Sequence, residues 1–274
     1  MRWIPDAQLE LLTRSAAVPE LIADRYQIVD TIGAGGMGVV YRAEDTALRR
    51  TVAIKVIDAD ESEARVLAKL EHPGIVPVHD VGLLPDGRVF YVMKLVDGTT
   101  LADFRGSLAE RLRVFARICD AVAFAHSRGV VHRDLTPRNV MVGAFGETVV
   151  LDWGLAHGDA RGGTRGFIAP EGQLDERSDL YSLGAILQFL VGNEATPPLR
   201  AIARKATAPE PTARYASARE LGEDVLRYLD AAPVRAHRYT PFETARRWIV
   251  RNRVIVGLIA AYVAMRVAAA VFLH

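Results

Sequence analysis

The 274-residue chain is half apolar and carries a formal net charge of +1, which allows a sizeable core and argues against a dedicated nucleic-acid binder. Its basic residues are nearly all arginine, with lysine only at 55, 69, 94 and 205, and its single cysteine, Cys119, excludes an intramolecular disulfide framework and suits a reducing compartment. No internal repeat is visible, and residues 1–25 are too charged for a secretory leader.

Residues 1–25 form a short amphipathic lead-in, with Leu9, Leu11, Leu12, Val18, Leu21 and Ile22 able to pack on a neighbour. From Tyr26 the pattern turns to strands. Ile28–Ile32 runs into Gly33-Ala34-Gly35-Gly36-Met37-Gly38, a G-x-G-x-x-G run whose glycines allow backbone to approach phosphate closely. A dinucleotide site would need a helix directly after the glycines. Here Val39–Ala43 continues as strand, which favours a hairpin flap over ATP. Thr51–Ile57 is a second strand, apolar apart from Thr51 and Lys55, so Lys55 reads as a phosphate-binding amine rather than a solvated edge charge.

Asp60 to Leu70 has helical spacing, with Ala64, Leu67 and Leu70 on one face, and Glu63 is the best placed partner for Lys55. His72-Pro73 ends this helix. Strands at Ile75–Val81 and Arg88–Leu95 are joined by the turn Pro85-Asp86-Gly87, and Lys94–Gly98 links a strand-rich lobe to a helical one. Ser107 to Arg128 is the clearest helix: Ser107 and Glu110 suggest a capping box, Leu112, Phe115, Ile118, Val122 and Ala125 form an apolar stripe, and Gly129 ends it. Cys119 falls in this stretch and reads as a small core residue.

The helix leads into Val130-Val131-His132-Arg133-Asp134-Leu135-Thr136-Pro137-Arg138-Asn139, then Val149-Val150-Leu151-Asp152-Trp153-Gly154. Hydroxyl phosphorylation needs an acid to orient the attacking group and oxygen donors to hold a divalent cation, and Asp134, Asn139 and Asp152 supply these types. Further on, the loop to Ala169-Pro170-Glu171 contains one hydroxyl, Thr164. Ser178 is expected to cap a buried helix through Leu190, Leu199–Ala206 a short helix, and Ser217 with Glu220 to box the start of a helix ending at Leu229.

Past Pro233, Arg246–Arg253 is basic with Trp248, and Val254 to Leu273 is apolar apart from Tyr262 and Arg266. That length spans a bilayer, and arginines on the N-terminal side place that side in the cytoplasm. Arg266 is a flaw in the span, and a buried terminal helix is the competing reading.

From about Tyr26 to Leu229 the chain resembles the protein kinase family, in particular the bacterial Ser/Thr kinases of eukaryotic type. The resemblance rests on Gly33, Gly35, Gly38, Val52-Ala53-Ile54-Lys55, Glu63, His132-Arg133-Asp134 with Asn139, Asp152-Trp153-Gly154, Ala169-Pro170-Glu171 and Ser178-Asp179. It implies an α+β, two-lobed kinase fold: a small β-rich N-lobe at 26–95, a larger helical C-lobe at 96–232, a basic juxtamembrane segment at 233–253 and a transmembrane helix at 254–273. It implies that Lys55 binds the α- and β-phosphates and pairs with Glu63, that Asp134 is the catalytic base, and that Asn139 and Asp152 bind magnesium. Ile32, the three glycines, Val40, Ala53, Met93, Lys94, Val96 and Met141 would surround the nucleotide, with Met93 as gatekeeper. Asp179 would brace the catalytic loop, Arg214 would pair with Glu171, and Thr164 would be a phosphoacceptor clamped by Arg133.

The departures are specific. Thr136 stands where the family has lysine, and Trp153 replaces phenylalanine, with Leu67, Val78 and His132 as expected neighbours. The 192–199 stretch is too short for the usual substrate-docking helix. The expected function is magnesium- and ATP-dependent phosphorylation of Ser or Thr on protein substrates by a single-pass membrane protein with a cytoplasmic kinase domain. Nucleic acid is not an expected partner, and a homodimer is left open. The alternative is a pseudokinase serving as a nucleotide-binding membrane scaffold; a small-molecule kinase fits Ala169-Pro170-Glu171 and Thr164 less well.

Overall fold

The computed structural model describes residues 19–35, 38–57, 70–153, 166–173 and 175–272. All of the expected helix at 60–70 except Leu70, with Glu63 and Leu67, the glycine-loop residues Gly36 and Met37, Gly154, and Thr164 lie outside the described residues. The chain divides into two units, Met1–Val234 and Arg235–His274.

The first unit opens with an antiparallel sheet of six strands: β1 (Leu21–Ile22), β2 (Tyr26–Gly35), β3 (Gly38–Asp45), β4 (Arg50–Ile57), β5 (Val78–Leu83) and β6 (Val89–Lys94), in the order β1-β2-β3-β4-β6-β5. Side chains on a strand alternate between faces, and directly paired residues share one. Val39, Tyr41 and Ala43 of β3 therefore lie with Val52, Ile54 and Val56 of β4 and Phe90 and Val92 of β6 in one apolar cluster. Val40, Lys55, Ala53, Tyr91 and Met93 are paired on the opposite face. This division assigns one face to the core and the other to the cleft.

β1 falls in the segment read as a lead-in: Leu21 pairs with Gln27 and Ile22 with Tyr26, and Ile22 is buried. The inward row of β3 ends on a charge. Asp45 is fully buried and accepts two hydrogen bonds from Arg25, both 2.8 Å, and one from Arg50 at 3.3 Å. These guanidinium groups, with the Leu48 amide, hold its carboxyl well below the usual carboxylate range.

The strand expected from Ile75 begins instead at Val78. Pro77 lacks the donor a ladder needs, and Ile75 forms a parallel bridge with Val150.

The helical part has α1 (Leu108–Ser127), α2 (Glu176–Val191), α3 (Pro197–Ala206) and α4 (Ala218–Leu229), with a three-stranded sheet of β7 (Gly98–Thr100), β8 (Val140–Gly143) and β9 (Thr148–Val150). Helix α1 has the full Ser107–Glu110 capping box, and Leu112, Phe115, Ile118, Val122 and Ala125 are all buried. It packs on α2 and α4.

Two expected caps differ. Helix α2 is capped by Asp175, whose carboxylate accepts from the Ser178 amide at 3.0 Å, while the Ser178 hydroxyl turns back to the Asp175 carbonyl. Asp175 is as good a cap as serine and starts the helix earlier. At α4 only half the box forms: Ser217 accepts from the Glu220 amide at 3.2 Å, but the Glu220 carboxylate receives the Ala216 amide.

Helix α2 passes almost directly into α3 through a 3-10 turn at Gly192–Glu194. Arg111 of α1 clasps this link by the Leu190 carbonyl and the Glu194 carboxylate. The two helices meet closely at Gly184, where an added Cβ would stand 2.7 Å from the Ala206 Cβ. Below them Arg214, whose side chain is fully buried, makes a two-pronged pair with Glu171 at 2.6 and 2.7 Å.

In the second unit, α5 (Pro241–Arg251) carries a full Thr240–Glu243 capping box, and α6 runs from Arg253 to Phe272. The expected transmembrane segment is therefore helical. Among the described residues, however, no helix is long and apolar enough to cross a membrane, so the expected span is not shown.

Two outcomes follow for stability. Asp45 has a depressed folded-state pKa, so its contribution is complete above the unfolded value of about 4 and is lost as pH falls toward the folded one. Asp45→Asn should be less stable than the parent at pH 7, with the gap narrowing below about pH 4, as read by denaturant titrations across pH. Glu171→Ala strands a buried guanidinium and should cost about 3 kcal/mol in urea unfolding, whereas the double replacement Glu171→Gln with Arg214→Met should cost less.

Candidate active site

The loop from Val130 to Asn139 is held from beneath by one carboxylate. Asp179 is fully buried at the start of α2 and accepts from the His132 amide at 2.8 Å and the Arg133 amide at 3.0 Å, with the His126 Nε2 at 2.8 Å. Arg133 sits at φ +73°, a left-handed conformation unfavourable for a side-chain-bearing residue. The charge-assisted bonds from Asp179 offset that strain. The part played by His126 was not read from the sequence; its place in the last turn of α1, just before the loop, is the available signal.

His132 is buried, its Nε2 facing the Leu151 carbonyl at 2.9 Å and its ring 4.9 Å from that of Trp153. Trp153 is also buried and donates to the Val150 carbonyl at 3.1 Å. The expected contact with His132 is present, and Leu67 lies outside the described residues.

These contacts bring the acid and amide groups together. The Leu151 amide donates to the Asn139 carbonyl at 2.8 Å, which ties the residue before Asp152 to the end of the loop. The Asn139 side-chain nitrogen donates to the Asp134 carbonyl at 2.7 Å and lies 3.5 Å from the Asp134 carboxylate. Asp134 is half-buried. Asp152 is at φ +58° and faces the first sheet, where its carboxylate receives the Lys55 amine at 2.7 Å. Lys55 is nearly fully buried and Asp152 partly exposed. Burial, with the Asp152 charge behind it, pushes the neighbouring Tyr91 phenol well up. The expected partner of Lys55, Glu63, is outside the described residues.

Of the residues expected around the nucleotide, Gly33, Val40, Ala53 and Met93 fall with Lys55 on the second face of the sheet, whereas Lys94 pairs with Val52. Gly33 pairs with Val40, Val40 with Lys55, and Ala53 with Met93. Ala53 and Met93 are buried, Val40, Val96 and Met141 half-buried, and Ile32 and Lys94 exposed. Gly35 pairs with Gly38 at the end of the hairpin. At Gly38, φ is +119° and a Cβ would lie 2.2 Å from the Val56 carbonyl oxygen, so the strands close only over glycine.

The donors suit a hard cation and a phosphate chain. The Asn139 amide nitrogen is committed to Asp134, which leaves its oxygen as the available ligand, and Asp152 offers a carboxylate. Magnesium takes such oxygens and usually shares them with substrate phosphates. Thr136, by contrast, is buried and cannot supply a cation. Arg138, to which the sequence reading gave no role, is exposed in the same loop.

Comparison with known proteins agrees with this arrangement. Residues 26–219 match the protein kinase domain family. The chain is 34% identical to the serine/threonine-protein kinase PknB of Mycolicibacterium smegmatis over 76% of its own length and 44% of that protein. It is 42% identical to the DNA damage-responsive serine/threonine-protein kinase RqkA of Deinococcus radiodurans over 61% of this chain and 30% of that one. With the serine/threonine-protein kinase PknD of Chlamydia felis the identity is 31%, over 85% and 34% respectively. The chain thus spans less than half the length of these curated relatives. With the β-rich and helical lobes and the Lys55–Asp152 and Asn139–Asp134 contacts in agreement, the match over residues 26–219 shows that the chain belongs to the protein kinase family.

Proposed function

We propose that this chain is a Ser/Thr protein kinase that transfers the γ-phosphoryl group of ATP to protein hydroxyls. The observation that carries the reading is the 2.7 Å contact of Lys55 with Asp152, beside an Asn139 already bonded to Asp134. An amine and three oxygen-bearing side chains converge on one cleft, as phosphoryl transfer requires.

Lys55 holds the α- and β-phosphates, exchanging part of its contact with Asp152 for phosphate oxygens. The glycines at 33, 35 and 38 bring backbone close over the phosphate chain, and Val40, Ala53 and Met141 enclose the base, with Met93 behind it and the backbone of Lys94 and Val96 beside it. Asp134 orients the substrate hydroxyl and takes its proton. Asn139 and Asp152 hold magnesium, which when bound offsets charge developing on the phosphates. Thr164 is the phosphoacceptor of the activation loop. Thr136 leaves the transferring group without one cation; by analogy with the loss of an oxyanion donor, that costs about 10²–10³ in rate without abolishing the reaction.

The C-terminal unit anchors the enzyme. Val254, Ile255, Leu258, Ile259, Tyr262, Val263 and Met265 of α6 are exposed apolar side chains, and a helix apolar around its circumference needs a core or a bilayer to cover it. Twenty residues of helix reach about 30 Å, the thickness of the hydrocarbon core. Arginines before α6 support the reading of a single-pass protein with its kinase domain on the cytoplasmic face.

Two measurements test these readings. Full-length protein in detergent, given labelled ATP, magnesium and a general protein substrate, should label Ser or Thr. Asp134→Asn should lower kcat by about 10²–10⁴ with little change in nucleotide affinity. Nucleotide binding by the parent without any transfer would favour the pseudokinase scaffold instead. For the anchor, the intact chain should stay with membranes through an alkaline carbonate wash, and truncation after Arg253 should release it. Recovery of the intact chain in the wash would refute the span.

A further inference from the structure

Arg138 shares a loop with Asp134 and Asn139 but has no part in the nucleotide site. It is the middle residue of the 3-10 turn Pro137–Asn139. Pro137 is buried, Asn139 is half-buried and bonded to Asp134, and Arg138 alone of the three is exposed. Among the described residues its guanidinium has no hydrogen-bond or ion-pair partner.

A second turn packs on this one. The Leu101 amide donates to the Val140 carbonyl at 2.8 Å and the Ala102 amide to the Pro137 carbonyl at 3.2 Å. Two residues beyond that turn Arg105 is also exposed, and among the described residues it donates only to the carbonyls of Ala102 and Phe104, at 3.1 and 3.4 Å. Asp103, exposed and two residues before Arg105, accepts from the Thr100 hydroxyl at 2.8 Å and makes no ion pair with Arg105 or Arg138 among the described residues.

A substrate hydroxyl must reach hydrogen-bond distance of Asp134. Its polypeptide then advances about 3.3 Å per residue across the rim of the loop, so positions a few residues from the acceptor come within range of an arginine four residues from the base. Guanidinium prefers carboxylates there, as a planar two-pronged donor.

We propose that Arg138, supported by Arg105, is a specificity-determining residue that selects protein substrates with Asp or Glu within a few positions of the phosphorylated hydroxyl. This rests on the kinase reading above. It gives the chain a means of engaging substrate at the catalytic loop itself, where the usual docking helix is missing between α2 and α3.

The test uses the full-length protein and three Thr peptides of one sequence, with the flanking positions set to Glu, Gln or Arg. The parent should favour the Glu over the Arg peptide by about tenfold in kcat/KM, mainly through KM, with the gap shrinking as salt rises. Arg138→Gln should remove the preference and Arg138→Glu should invert it. A parent ratio within about twofold, or a ratio kept intact in Arg138→Gln, overturns the proposal. So does an equal loss of kcat on all three peptides with the ratio preserved, which would place Arg138 in phosphoryl transfer or in loop folding. Failure of the parent to phosphorylate any peptide, the Gln one included, and any general protein substrate would remove the kinase reading and this proposal with it.

Discussion

The buried amine of Lys55 and the carboxylate of Asp152 meet across 97 residues of chain, and the arrangement of the cleft depends on that contact. An unpaired lysine on the inner face of β4 would carry a large desolvation penalty. Among the described residues its partner is Asp152, which follows β9, so this pair forms when the first sheet and the end of that strand stand together. Such a pair adds little net stability over an apolar substitute. Its value here is positional, because it holds a cation and an anion at the place where phosphates and a metal must be received.

The helical lobe repeats this use of charge. Asp179 collects two loop amides and a histidine, and Arg214 collects Glu171 with the carbonyls of Ala208, Arg177 and Pro209. Both are buried and both are multiply bonded. The left-handed residues Arg133 and Asp152 lie at either end of the region they support. Backbone strain at a site persists only where its surroundings over-determine it, and the Asp179 bonds and the strand tie from Asn139 supply that constraint.

Two features separate this chain from the general plan it follows. Thr136 removes a cation from the reaction centre, and the direct passage from α2 to α3 removes the surface where a docking helix would stand. In the proposed reaction Thr136 bears on the rate of transfer, and the short passage bears on how a protein substrate is held, which is also where the role proposed for Arg138 falls.

How much of this was legible depended on whether the signal was local. The glycine hairpin, the Val-Ala-Ile-Lys strand, the His-Arg-Asp loop with Asn139 and the stripe of α1 each express their role within a few residues, through period, turn chemistry or the donor types a reaction needs. By itself the sequence was therefore sufficient for the two-lobed kinase fold and for most of its elements in order, and it brought Lys55, Asp134, Asn139 and Asp152 forward as candidates. Only the tertiary structure decided that Ile22 joins the sheet, that Asp45 is buried against Arg25, that Asp175 rather than Ser178 begins α2, and that His126 and the loop amides share Asp179. These depend on which charged groups become neighbours after the chain has closed on itself. A periodic pattern states which face of an element is buried but carries no record of the distant residue that will meet it there.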